Sequence, residues 1–245
     1  MANWNDPQPG MGFGGSPRVQ GYGDAALDAG LRRYMLSIYN YMTSGILLSG
    51  VVALLFVQSG MALATLTSPL RLLLAFAPLV FVMVMSFGIN RLQTATLQLL
   101  FWAFCVTMGL SLSSILLIYT GPSVAATFFA TAGAFAGLSL VGYTTKRNLS
   151  AMGGFMVMGL FGLLIAMVVN MFMHSGPLGL AISALGVLIF AGLTAWDTQR
   201  LKAMYYQTAG SPYADKTVIM GALTLYLDFI NMFLFLLRFM GNQRR

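Results

Sequence analysis

Asp197 and Asp228 are the residues of this chain best placed to do chemistry, because acids are scarce in it and these two lie in apolar surroundings. The sequence has only six acidic residues, all aspartates. Asp228 sits near the centre of the apolar run Val218–Met240. As a helix that run reaches about 35 Å at ~1.5 Å per residue, enough to cross a bilayer. A carboxylate at mid-bilayer depth costs roughly 2.5–3.5 kcal/mol on insertion scales, so it normally faces protein or water and serves a pathway. Asp197 closes the preceding apolar run, and the midpoint between the two acids falls at the end of the turn-forming stretch Ala209-Gly210-Ser211-Pro212. Residues equidistant from the turn of an antiparallel helix pair stand at the same height. The sequence therefore predicts a carboxylate pair inside a membrane.

The neighbours of the pair sharpen that expectation. Thr217, Gly221, Thr224, Asp228 and Asn231 follow helical spacing and form one small, polar face. Asp197 is flanked by Thr194, Thr198 and Gln199, and Arg91 ends the second apolar run on the same membrane side. The candidate site is thus Asp197, Asp228, Arg91 and Asn231, with Arg91 expected to reach the acids as their counter-ion. The plainer role is a buried acid neutralised by Arg91 to hold the bundle together. A buried ion pair adds little net stability compared with apolar packing, which favours a functional role.

The elements that must position these residues are membrane helices. Hydrophobic residues make up 58% of the chain and charged residues 8%, with a mean hydropathy of +0.80. A soluble domain carries roughly 45–50% apolar and about 25% charged residues. Seven runs are of spanning length: Ile38–Gly60, Leu70–Ile89, Leu97–Ile118, Ser123–Tyr143, Ala151–Met173, Leu178–Trp196 and Val218–Met240. None shows the strict alternation of a barrel strand. The predicted fold is an all-α membrane protein, a seven-transmembrane-helix bundle over residues 31–245. Residues 1–30, rich in glycine and proline, read as a disordered tail without the apolar core of a signal peptide. Leu27, Leu31, Tyr34, Met35 and Ile38 share one helical face, which could form a short amphipathic helix, but the expectation is an interfacial entry into the first span.

The net charge of +7 does not mark a nucleic-acid binder, because the cations are sorted by membrane side. With the N-terminus cytosolic, nine of them face the cytosol: Arg18, Arg32, Arg33, Arg91, Lys146, Arg147, Arg200, Lys202 and Lys216. Arg71, Arg238, Arg244 and Arg245 fall outside, so the arrangement obeys the positive-inside rule. A re-entrant last run would return the three C-terminal arginines to the inside, but its length favours a full span. Cys105, the single cysteine, reads as a small buried residue, and His174, the single histidine, as an exposed loop residue. Gly133 and Gly137 form one GxxxG, a signal of close helix packing.

Absent residues remove several mechanisms. A retinal protein needs a lysine within a span, and Lys146, Lys202 and Lys216 all fall in loops. A rhomboid-type protease needs a membrane histidine. A di-aspartyl intramembrane protease also uses two acids on neighbouring late helices, but Leu225-Tyr226-Leu227-Asp228 lacks the glycines of presenilin-like enzymes. A regulator or adaptor of a protease or stress pathway, touching a membrane-protein partner through residues 1–30, stays open as another class.

Ala195-Trp196-Asp197-Thr198-Gln199 and Ala222-Leu223-Thr224-Leu225-Tyr226-Leu227-Asp228-Phe229-Ile230-Asn231 resemble the last two helices of the Bax inhibitor-1 family. Met108-Gly109-Leu110-Ser111-Leu112-Ser113 and Arg33-Tyr34 are softer matches, and the likeness covers roughly residues 30 to 240. The resemblance, to a bacterial-type member, implies a central last helix wrapped by the other six. It also implies a pH-sensitive calcium leak with Asp197 and Asp228 as sensor and Arg91 as the helix-two arginine. Two carboxylates in contact at low dielectric cannot both stay ionised cheaply, so they share a proton and latch the two helices. Loss of that proton parts the helices. Calcium takes roughly 6–8 oxygen ligands, so Asp197 and Asp228 with Asn231 and carbonyls suit transient passage, not a resident metal. Calcium, protons and the lipid bilayer are then the partners, with no bound cofactor. Passive leak and exchange against protons both remain open. In the absence of a targeting segment the expected location is a bacterial inner membrane.

Overall fold

Eight helices form the chain in the computed structural model, which describes residues 17–211 and 213–244, the side chains of residues 17–26 and Leu66 excepted. They are α1 Pro17–Gln58, α2 Met61–Leu66, α3 Leu70–Gly88, α4 Thr94–Ile118, α5 Gly121–Thr144, α6 Ser150–Met173, α7 Gly176–Thr208 and α8 Ala214–Met240. All but the single-turn-scale α2 are long and apolar enough to cross a membrane. The breaks between them have local causes. Gly60 takes a left-handed φ of 74° after α1, and His174 takes 51° after α6. Pro122 and Pro177 sit in the first turns of α5 and α7, where the missing N–H is no loss. The Ser175 side chain caps α7 by accepting from the Leu178 N–H.

The bundle is organised around α8. In its most apolar stretch 67% of the residues are buried, and no other span exceeds 39%. The other spans turn large apolar side chains outward, as Phe87, Leu99, Phe129, Met158 and Phe172 do, which suits a lipid surround. The chief neighbours of α8 are α7, α1, α5 and α4, while α3 packs on α4 and α6 on α7. The expected wrapping by all six helices is therefore built in two shells. The last helix is long enough to span fully: 27 residues cover about 40 Å at ~1.5 Å per residue. Its end is tied to the α4–α5 connection, where the Arg244 N–H donates to Ile118 O at 2.8 Å and the Thr120 N–H donates to Asn242 O at 3.0 Å.

Two sequence expectations are revised here. Helix α1 begins at Pro17, inside the segment read as a tail, and residues 1–16 lie outside the described residues. Pro17 suits a first helical turn, and Leu31, Tyr34, Met35 and Ile38 are buried on a helix continuous with the first span, in keeping with the expected entry into that span. Leu27 is exposed and does not join that face. The GxxxG is not a packing site either: a Cβ at Gly133 or Gly137 would meet open space. The close approaches lie elsewhere. A Cβ at Gly142 would strike the backbone carbonyl of Ala195, and one at Gly109 would lie 2.6 Å from Ser49 O. At the second crossing Ser49 Oγ donates to Cys105 O at 2.7 Å and pairs with Tyr226 Oη at 2.7 Å, joining α1, α4 and α8 through buried polar atoms.

Candidate functional site

The five residues Ala195–Gln199 each leave α7 in a different direction, and that divergence builds the site. Thr194 and Thr198 donate to Phe190 O and Thr194 O, at 2.7 and 2.8 Å, so their hydroxyls are satisfied within their own helix. Thr198 also meets Ser139 Oγ of α5 at 3.5 Å. Trp196 lies over Gly153 of α6, where any Cβ would collide with the indole. Asp197 is left pointing at α8.

Asp228 meets it there. Both acids are buried, at 6% and 5% relative exposure, so neither is solvated by bulk water. Their carboxyls are near neighbours across the α7–α8 contact. Asp228 Oδ2 is buried and has no hydrogen-bond partner among the described residues. Arg200, one turn on from Asp197, brings Nη1 to 3.9 Å from Asp197 Oδ1, and this is the one ion pair among the described residues. Its guanidinium stacks over Trp196 at 5.4 Å. Because the Arg200 side chain is 59% exposed, the attraction is screened, and it steers the charge more than it stabilises the fold.

The match to the family described as inhibitor of apoptosis-promoting Bax1 extends over residues 31–245. The chain belongs to the Bax inhibitor-1 family. It is 45% identical to the inner membrane protein YbhL of Escherichia coli strain K12, over 88% of this chain and 94% of that one. It is 47% identical to protein RP147 of Rickettsia prowazekii, over 89% and 92% of the two chains. A Deinococcus radiodurans protein is 42% identical, over 87% and 92%. With its seven apolar helices, this Bax inhibitor-1 family chain is an integral inner membrane protein.

Two expected members of the site stand apart from it. Arg91 is exposed and makes no ion pair among the described residues. It lies on the turn after α3, a helix that packs on α4, and Lys216 Nζ holds that turn by donating to Ile89 O at 3.1 Å. Arg200 takes the counter-ion position, and its spacing of three from Asp197 was the available signal. Asn231 is half-buried, but its Nδ2 donates to Leu227 O at 2.8 Å, within its own helix. Thr217 and Thr224 likewise bond to Ala214 O and Met220 O. The polar face of α8 is real, and two of its members meet α7: Gly221 beneath Leu201 and, beside Asp197, Asp228. Beyond it Met232, Phe233, Phe235 and Leu237 are buried, so α8 continues as an apolar plug.

Gln199 is a structural residue that the sequence reading treated only as a polar flank. Its Oε1 accepts from the Leu149 N–H and its Nε2 donates to Arg147 O, both at 2.8 Å, which pins the α5–α6 connection to α7. Lys202 adds a bond from Nζ to Tyr143 O at 2.9 Å. Gln199→Leu removes both Gln199 bonds and is expected to reduce stability by about 1–3 kcal/mol. Limited trypsin digestion at Lys146-Arg147 reads the result: faster cleavage than in the parent is expected, and unchanged cleavage refutes the clamp.

Proposed function

We propose that the protein is a pH-sensitive calcium leak whose closed state is latched by Asp197 and Asp228. The observation that carries this reading is the contact of two buried carboxyls between α7 and α8, with a cation beside one of them. With a single proton between them, Asp228 donates to Asp197 and the remaining charge lies next to Arg200. That arrangement joins the two helices without leaving a bare charge in the core. Changing the proton count breaks it, and the carboxylate oxygens then offer a short-lived stop for a hydrated divalent cation. The positive-inside rule assigns the end bearing Arg32, Lys146, Arg147, Arg200 and Lys202 to the cytosol.

The cavities of about 690, 340 and 280 Å³ are lined by neither aspartate. The test is calcium entry into liposomes carrying a calcium dye. Protein-dependent flux that changes with pH supports the reading. Flux equal to that of protein-free liposomes at every pH overturns it.

A further inference from the structure

Helices α1 and α5 both pack on α8, yet a lateral gap of about 690 Å³ separates them. Phe229 of α8 floors it, and its outer rims carry the exposed apolar side chains of Leu36, Leu47 and Leu140. The gap runs along α1 from Arg32 to Leu47, about 22 Å at ~1.5 Å per residue. Half a bilayer, headgroup included, is about 20–22 Å thick. A second cavity of about 340 Å³ shares Ile46, Phe128 and Phe229 with the first and continues the groove between the same helices. The walls are mostly apolar, with the hydroxyls of Tyr39, Thr43 and Ser139 among them, and one end is charged. There Arg32 lines the mouth, exposed and without an ion pair among the described residues. Lys202 does not line the mouth; its Nζ lies 5.0 Å from the Tyr143 ring and donates to Tyr143 O. Among the described residues, no acidic side chain lines the groove.

We propose that this groove is a binding site for one anionic phospholipid of the surrounding leaflet, with an acyl chain on Phe229 and the phosphate at Arg32. Length, apolar walls and a basic mouth are the three properties such a molecule requires together. A neutral lipid satisfies two of them, and a protein helix has no use for the third. The site holds whether or not the aspartate pair gates ions. Occupancy also has a consequence for the core, because the chain would lie on the residue that follows Asp228.

Native mass spectrometry of the detergent-purified protein, titrated with phosphatidylglycerol or with phosphatidylcholine of the same chains, tests the assignment. One phosphatidylglycerol is expected to be retained about fivefold more than phosphatidylcholine, the ratio that one basic side chain at a membrane surface confers. Arg32→Gln should bring the two lipids to parity while phosphatidylcholine retention is unchanged. Ala136→Trp, on the groove wall, should lower retention of both. Arg71→Gln, remote from the groove, should preserve the preference. Absence of a preference in the parent overturns the proposal, as does a preference that survives both groove variants or falls equally in Arg71→Gln.

Discussion

Calcium flux through Asp228→Asn is expected to be nearly independent of pH, whereas the parent protein shows a minimum with a rise on either side. The minimum belongs to the pair holding one proton. Adding a second proton removes the charge beside Arg200, whose Nη1 lies 3.9 Å from Asp197. Removing the last one leaves two anions in contact, and at an effective dielectric near 20 two unit charges about 4 Å apart repel by about 4 kcal/mol. That exceeds the ~1.4 kcal/mol needed to change an open population tenfold, so a parent variation of at least tenfold is expected. The asparagine amide donates to Asp197 at every pH, so the helices stay joined and the variation should shrink to about twofold. Asp197→Asn should flatten the profile as well, and Arg200→Gln should alter the acid limb alone. A liposome assay from mildly acidic to mildly alkaline pH separates these results. Retention of the parent profile in both asparagine variants removes the pair from the mechanism.

Gly142→Ala is expected to destabilise the protein more than alanine at either glycine of the GxxxG. At Gly142 the new methyl meets the Ala195 carbonyl, which belongs to backbone and has no rotamer to yield. Helices α5 and α7 must separate, and such overpacking costs about 1–3 kcal/mol. Replacing glycine by alanine within a helix returns at most about 1 kcal/mol. At Gly133 and Gly137 only that gain operates, because nothing lies within 4 Å. Thermal unfolding in detergent should therefore rank Gly142→Ala below the parent, with Gly133→Ala and Gly137→Ala at or above it. The reverse order would place the tight helix crossing at the GxxxG. Because Thr198 and Ser139 meet across the same interface, Gly142→Ala should also raise the basal leak.

The seven spans and the meeting of Asp197 with Asp228 were legible in the chain itself. Hydropathy sets the length of each span, and a short turn between antiparallel helices fixes which residues stand level. The continuation of α7 beyond Trp196 to Thr208, required for that register, is present. Family membership was legible in the two aspartate segments, because their polar residues are few and closely spaced.

Tertiary structure decided the rest. Arg200 and not Arg91 stands by the pair, because α3 packs on α4 and its final turn is held by Lys216. Asn231 had the right spacing, yet its amide found a carbonyl in its own helix first. The clamp by Gln199, the crossing at Gly142 and the groove between α1 and α5 leave no periodic mark in the sequence. Lipid tails are as apolar as leucine, so hydropathy reports which residues avoid water and not which of several equally apolar faces meet. That choice depends on side-chain shape, on backbone proximity and on the few hydrogen bonds between helices, all of which exist only once the helices are assembled.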